Sequence, residues 1–377
     1  MPVRGTSDGC ATSLSGRWCA LVVATIPLGL GCLPEPSLLP THAPDGPAAE
    51  KQGDQAPVGA APTGTAKWET WIFPGEAEDA GAAALTSPAD RLLRAIAAAE
   101  SEVWVTMYLL TSTAVVDALV AARDRRCDVR VLLEAAPYGA ETANQAAAAR
   151  LAAAGVDVRL LSRADGLVHE KAMIIDRRSV FVLSLNFTAA GLASNREYAV
   201  ADGDPADVAR AATIFAADLV GAEPLPAPPS ASHVLVSPID ARVRLSAAIA
   251  DARTSLHIEM EELSDGPLAA SVLAAWQRGV SVALVAPAGG RSFGTDATLA
   301  RLRDAGMNVT FLDAPVVHAK AMVVDRATVY IGSINFTRAS LDDNRELGLL
   351  FRDQAAAARV ADTIESDARA GAPIAFE

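Results

Sequence analysis

The chain has 377 residues, 51% of them hydrophobic and 20% charged, a balance that excludes wholesale disorder and a multispanning membrane protein. That length accommodates two or three units of ~150 residues. The formal charge of −13 argues against nonspecific gripping of nucleic acid, which needs a basic surface to displace counterions.

In chain order, Arg4 and Arg17 form a weakly positive start, and an apolar run from Trp18 to Gly31 follows. Residues 1–32 therefore read as a signal for export. The run is shorter than the ~20 apolar residues a spanning helix needs, and no later segment comes close. Leu28-Gly-Leu-Gly-Cys32 resembles the lipobox of bacterial lipoproteins, in which a small residue precedes a lipidated cysteine. Gly29 departs from that pattern, which prefers Leu. Cys32 is thus the expected lipidation site, and the cell envelope the expected location. Residues 33–66, rich in Pro, Ala and Gly, read as a flexible tether. With Cys10 and Cys19 in the signal, Cys127 is the one cysteine left for the folded body, where it reads as a small buried packing residue.

The rest of the chain repeats itself at an offset near 150 residues. Arg91-Leu-Leu-Arg-Ala-Ile96 matches Arg244-Leu-Ser-Ala-Ala-Ile249. Val103-Trp-Val-Thr-Met107 matches Leu256-His-Ile-Glu-Met260, and Cys127-Asp-Val-Arg-Val-Leu-Leu133 matches Val280-Ser-Val-Ala-Leu-Val-Ala286. Ser87-Pro88 supplies an N-cap and first turn for the helix carrying Leu92, Leu93 and Ile96. In each half, short β-branched runs alternate with Ala-rich stretches of helical length, such as 142–154 closed by Gly155. The Pro-rich stretch 223–229 marks a junction, giving domains 67–222 and 230–377. Alternating strand and helix predicts an α/β fold, a mixed sheet flanked by helices in each half. Two such lobes are expected to pack face to face.

The first half continues as Val168-His-Glu-Lys-Ala-Met-Ile-Ile-Asp176 and the second as Val317-His-Ala-Lys-Ala-Met-Val-Val-Asp325. Residues two apart on a strand share a face, so each run sets an imidazole beside an ammonium. The chain uses 28 Arg and four Lys, at 51, 67, 171 and 320. Both lysines within the repeats therefore stand two residues after a histidine, where a compact charge with rotatable donors suits a phosphate oxygen. Ser184-Leu-Asn186-Phe-Thr188 and Gly332-Ser333-Ile-Asn335-Phe-Thr337 come next, then Asn195-Arg-Glu197 and Asn344-Arg-Glu346.

Together these duplicated motifs resemble the phospholipase D superfamily, over most of residues 68–370. The resemblance implies two homologous lobes with one active site at their interface. It implies a two-step displacement in which one histidine attacks phosphorus and the other protonates the leaving oxygen, a division suited to paired imidazoles near neutral pH. His169, by analogy with the family, is the expected nucleophile, and His318 the acid. Lys171, Lys320, Asn186 and Asn335 would hold phosphate oxygens, with Ser184 and Ser333 at the same pocket. Glu197 and Glu346 would orient the histidines. Asp176 and Asp325 complete the catalytic motif but are expected to tie down turns. Because lysines supply the positive charge, no metal and no other cofactor is expected.

Leu183 stands where the second half has Gly332, a difference read as absorbed by packing. His257 lies beside Glu259, Glu261 and Glu262 and reads as part of an alternating strand face with solvated carboxylates. Tyr108, Tyr138 and Phe293 could line the mouth of the site, although scattered aromatics usually pack. The leading functional expectation is hydrolysis, or transfer to alcohols, of phospholipid phosphodiesters at a membrane surface by a monomer. A secreted metal-independent endonuclease and a catalytically silent binding module are the alternatives.

Overall fold

The computed structural model describes residues 67–74, 87–222, 225 and 231–373. The expected signal, Cys32 and the tether lie outside the described residues.

The first half runs β1 (Trp68–Phe73), α1 (Pro88–Ala97), β2 (Glu102–Met107), α2 (Thr113–Asp124), β3 (Asp128–Glu134), α3 (Gln145–Ala153), β4 (Asp157–Leu161), β5 (Lys171–Ile175), β6 (Ser179–Leu183), α4 (Ala189–Ala193), β7 (Glu197–Asp202) and α5 (Pro205–Val220). The second runs β8 (Val234–Ser237), α6 (Ala241–Ala250), β9 (Ser255–Met260), α7 (Gly266–Gln277), β10 (Ser281–Pro287), α8 (Phe293–Asp304), β11 (Val309–Leu312), β12 (Lys320–Val324), β13 (Thr328–Gly332), β14 (Glu346–Arg352) and α9 (Gln354–Ala370). A π-helical turn, Ala339–Asp343, stands where the first half has α4.

Each half builds one seven-stranded sheet, in the orders β1-β7-β6-β5-β2-β3-β4 and β8-β14-β13-β12-β9-β10-β11. The orders match strand for strand. In the first sheet β2, β3 and β4 are parallel and the remaining neighbours antiparallel, and the second sheet repeats this. The duplication is therefore one of topology as well as of sequence, and the fold is the mixed α/β arrangement the repeats predict.

Local chemistry accounts for the element ends. Ser87 Oγ accepts from the Asp90 amide at 3.1 Å, while the Asp90 carboxylate accepts from the Ser87 amide at 3.2 Å, a capping box that starts α1. The helix expected over 142–154 starts later, at Gln145. Asn144 sets that start: its side chain accepts from the Leu110 amide and donates to the Tyr108 and Glu134 carbonyls, so it staples the loop after β2 to the end of β3 instead of continuing the helix.

Among the described residues three apolar cores result. One lies wholly within the first half and includes Val105, Leu119, Leu133 and buried Cys127. Another lies wholly within the second and includes Ile258, Leu268, Leu284 and Phe336. Between them a shared core joins Ile174, Val182, Tyr198, Ile214 and Phe215 to Val285, Val323, Ile331, Val360 and Ile364. The lobes thus meet across sheet faces, with α5 and α9 contributing to the junction.

Leu183 is fully buried opposite Ala199 in the β6–β7 ladder. Its counterpart Gly332 pairs with Gly348, where an added Cβ would meet the Gly348 Cα at 2.5 Å and the Leu347 carbonyl at 2.7 Å. The glycine serves a close approach of two strands, so the difference between the halves is one of packing.

Candidate active site

The first residues of β5 and β12 are Lys171 and Lys320, and the extended segments leading into these strands cross to the opposite lobe. Val168 bridges Arg345, with the His169 amide donating to the Arg345 carbonyl at 2.9 Å and the Arg345 amide to the Leu167 carbonyl at 2.8 Å. Val317 bridges Arg196 in the same way, through His318 N to Arg196 O at 3.2 Å and Arg196 N to Val316 O at 2.8 Å. Each histidine segment therefore lies beside the glutamate-bearing segment of the other half.

This exchange pairs the catalytic-type side chains. His169 Nδ1 hydrogen bonds Glu346 Oε2 at 2.9 Å, and His318 Nδ1 lies 2.6 Å from Glu197 Oε1. Both carboxylates are fully buried. A carboxylate on Nδ1 keeps the proton there and leaves Nε2 for chemistry. Glu197 is itself held by Ser184 Oγ at 2.5 Å, and Glu346 by Asn344 Nδ2 at 3.2 Å.

The lysines are fully buried, Lys171 donating to the His169 carbonyl at 2.9 Å and Lys320 to the His318 carbonyl at 2.5 Å. Burial first, then Lys320, pushes the Lys171 ammonium down to about 7. Burial also lowers His169 below the usual imidazole value, with Glu346 opposing and the two lysines reinforcing the shift. The influence of Lys320 on Lys171 and His169 shows that both halves share one electrostatic site.

Asn186 and Asn335 are buried; Asn335 donates to Glu261 Oε2 at 3.1 Å, whereas Asn186 Oδ1 meets no hydrogen-bond donor among the described residues. Ser184 and Ser333, expected to meet substrate, are fully buried and spend their hydroxyls elsewhere. Ser184 binds Glu197 and the Tyr198 amide, and Ser333 binds the backbone of Leu347, so they support the pocket from behind. Asp176 and Asp325 lie at the far ends of their strands. Asp176 Oδ1 accepts from the Ser101 amide at 2.7 Å and the Glu102 amide at 3.0 Å, and Asp325 Oδ1 from the Thr254 amide at 2.7 Å and the Ser255 amide at 3.0 Å. The two aspartates that complete the motif are thus turn anchors away from the histidines.

The family model described as "Cardiolipin synthase, PLD-like domain" matches residues 92–219 and again 245–368. The chain belongs to the phospholipase D superfamily. Superfamily members are phosphodiesterases and phosphotransferases. Among solved structures, polyphosphate kinase from Porphyromonas gingivalis is similar at TM-score 0.59 and 18% identity, over 79% of this chain and half (50%) of the kinase. Phosphatidylserine synthase from Haemophilus influenzae Rd KW20 is similar at TM-score 0.58 and 11% identity, over 78% of this chain and 86% of the synthase. The phospholipase D family member Nuc from Salmonella typhimurium aligns with 38% of this chain and 97% of its own, at 26% identity and TM-score 0.36. The likenesses to the kinase and the synthase concern the fold. A search of curated proteins finds no match.

Within this superfamily site the carboxylates near His257 require a correction, because they are not a solvated strand face. Glu259 is fully buried and accepts from the Tyr198 hydroxyl at 2.5 Å; Glu261 is half-buried against Lys320; Glu262 accepts from the Ser292 amide at 2.7 Å. The sheet is covered on both faces here, so alternation does not send every second residue to water. His257 Nε2 pairs with Glu365 at 2.9 Å. Tyr108 is buried, its ring edge-on to His169 at 4.6 Å and 5.0 Å from the Lys171 ammonium, whereas Tyr138 and Phe293 are exposed.

Two site residues escaped sequence reasoning: Glu261, and Glu134, whose buried carboxylate accepts from the Val168 amide at 2.7 Å and so fixes the segment leading to His169. The alignment of the halves carried a signal for Glu261, which directly follows Met260 as Tyr108 follows the matched Met107.

Asp204, Asp207 and His233 form a cluster with metal-ligand spacing among the described residues, near the end of β7 opposite Glu197. Its donors are engaged: Asp204 caps α5 and pairs with Lys67, and Asp207 accepts from Ser232 Oγ and from both His233 Nδ1 and its amide.

Proposed function

We propose that this protein cleaves phospholipid phosphodiesters by a phospholipase D-type reaction, passing the phosphatidyl group to water or an alcohol through a covalent phosphohistidine. The observation carrying the reading is the crossed pairing of His169 with Glu346 and His318 with Glu197, which equips two imidazoles from two lobes for complementary tasks.

In the first step His169 Nε2 attacks phosphorus as a neutral base, forming the P–N bond. The bond from phosphorus to the head-group oxygen breaks, and His318 gives its proton to that oxygen. In the second step water or an alcohol attacks phosphorus, His318 takes its proton, and the P–N bond breaks. Lys171 and Lys320 offset charge on the nonbridging oxygens, assisted by Asn186 and Asn335. Burial that keeps His169 neutral favours it as nucleophile.

The lipid substrate is supported by the acidic chain, by the exported lipoprotein reading of residues 1–32 and by the cardiolipin synthase description of the matched family. In this reading Cys32 anchors the protein in the cell envelope, residues 33–66 let the body reach the membrane surface, and a monomer suffices because one chain brings both histidines.

The test is phosphatidate release from mixed phospholipid vesicles with ethanol and a chelator present, comparing the protein lacking residues 1–32 with its His169→Asn and His318→Asn variants. Phosphatidate and phosphatidylethanol are expected from the parent, unaffected by chelator and reduced at least ~10²-fold in both variants. Inertness toward lipid together with cleavage of DNA would overturn the lipid substrate in favour of a nuclease.

A further inference from the structure

The two halves of the site are unequal at the position that follows the matched methionines Met107 and Met260. After β2 the first half places Tyr108, whose ring faces His169 and Lys171. After β9 the second half places Glu261, whose carboxylate lies 2.6 Å from Lys320 Nζ, accepts from Asn335 Nδ2 at 3.1 Å and stands 3.5 Å from His318 Nε2. A lysine, an asparagine and a histidine Nε2 are what each half contributes to a phosphoryl group in the proposed reaction. In the second half a carboxylate of this chain already engages the lysine and the asparagine and stands near the histidine.

Burial opposes the charge on Glu261, but His318 and Lys320 outweigh it and hold the carboxyl well below the usual carboxylate range. The Glu261 backbone is fixed as well, its amide donating to the Ala319 carbonyl at 2.9 Å beside the His-x-Lys segment. Glu261 is therefore a resident anion within the phosphate-binding groups. Glu197 and Glu346 differ in kind, since they sit behind the histidine rings on Nδ1.

We propose that Glu261 is a specificity-determining residue: a built-in counter-anion on Lys320 and His318 that admits the single negative charge of a phosphodiester and rejects dianionic phosphate monoesters. This rests on the phosphodiester reading of the site. With both lysines uncompensated, a dianion would bind more tightly than a monoanion, and the phosphate monoester left by hydrolysis would hold the site against the next substrate. A phosphate monoester is largely dianionic above its second pKa of about 6, whereas a diester keeps one charge. A fixed carboxylate a few ångströms from the bound phosphorus adds repulsion that the dianion feels twice. The site thereby favours substrate over product by charge alone.

The test is equilibrium calorimetry at pH 8 with inorganic phosphate, a dianion there, and dimethyl phosphate, a monoanion, on the protein lacking residues 1–32 and its Glu261→Gln, Glu261→Tyr and Glu261→Asp variants. Either neutral variant is expected to bind phosphate at least about tenfold more tightly, with a smaller gain for dimethyl phosphate, while Glu261→Asp stays near the parent. A carboxylate that merely positioned Lys320 and His318 would give the opposite, weaker binding of both anions on its loss, and that result or an unchanged phosphate affinity overturns the proposal. If both neutral variants fail to fold while Glu261→Asp folds, the residue is structural and the proposal falls. Phosphate binding that is equal in all four proteins removes the charge filter but leaves the phosphodiester site standing. No binding of either anion to any of them removes both.

Discussion

Lys171 shows how one residue's surroundings translate into a measurable profile. Burial and Lys320 bring its ammonium down to about 7 from an ordinary 10.5. A group with a lowered value loses its proton as pH rises through that value, so the free protein loses one of its two phosphate-binding charges above about pH 7. Substrate is an anion throughout, and its arrival raises the lysine again. In kinetics on bis(p-nitrophenyl) phosphate, whose leaving group departs without needing a proton from His318, kcat/KM is expected to fall above about pH 7. The fall in kcat should come at distinctly higher pH. A kcat/KM flat from pH 7 to 9 would show that Lys171 keeps its charge in the free protein. The residues of this site were legible wherever chemistry and repetition coincided, as with the two lysines in a chain that otherwise uses arginine. Glu261 was not legible, because a glutamate in the run His257–Glu262 looks solvated until both faces of the sheet are known to be covered. Nor could the sequence show that Glu346 serves His169 and Glu197 serves His318; that follows from the short segments before β5 and β12, which bridge the opposite lobe.

The β5–β6 and β12–β13 hairpins explain why an aspartate closes each motif without joining the chemistry. Asp176-Arg177 and Asp325-Arg326 all have φ between 50° and 53°, a left-handed pair in the three-residue turn that joins each pair of strands. Asp tolerates that conformation better than most residues, and its carboxylate then gathers the amides entering β2 or β9. At Asp325 these are the amides of Arg253, Thr254 and Ser255, with the Thr254 hydroxyl at 2.9 Å. Asp325→Ala strands those donors and is expected to destabilise the fold by about 2 kcal/mol, lowering Tm by about 4 to 8 °C. The same variant should keep kcat within about threefold of the parent. A collapse of kcat at unchanged Tm would instead assign Asp325 to catalysis. At this scale the sequence was informative about the alternation of strand and helix and about its repetition in the two halves. It missed the late start of α3, which depends on Asn144 reaching Tyr108, Leu110 and Glu134 from elsewhere in the chain.

The lobes cannot be treated as two domains on a linker. The shared core draws on both sheets and on α5 and α9, so neither half buries its inner face without the other. Arginines of the matched Asn-Arg-Glu segments reinforce the junction. Arg196 makes two hydrogen bonds to Asp367 on α9, at 2.6 and 3.0 Å, and Arg345 binds Asp218 on α5 at 3.1 Å. Each ion pair joins one half to the closing helix of the other and lies just before a catalytic-type glutamate, so separation of the lobes would disorder both histidine–glutamate pairs at once. Folding and assembly of the site should therefore be one event. Scanning calorimetry of the protein lacking residues 1–32 is expected to show a single transition with calorimetric and van't Hoff enthalpies in agreement. Arg196→Ala should shift the whole transition to lower temperature without splitting it, because the pair it removes is common to both lobes. Two resolved transitions in the parent, one for each half, would mean that each lobe is stable alone and that the active site is made by docking.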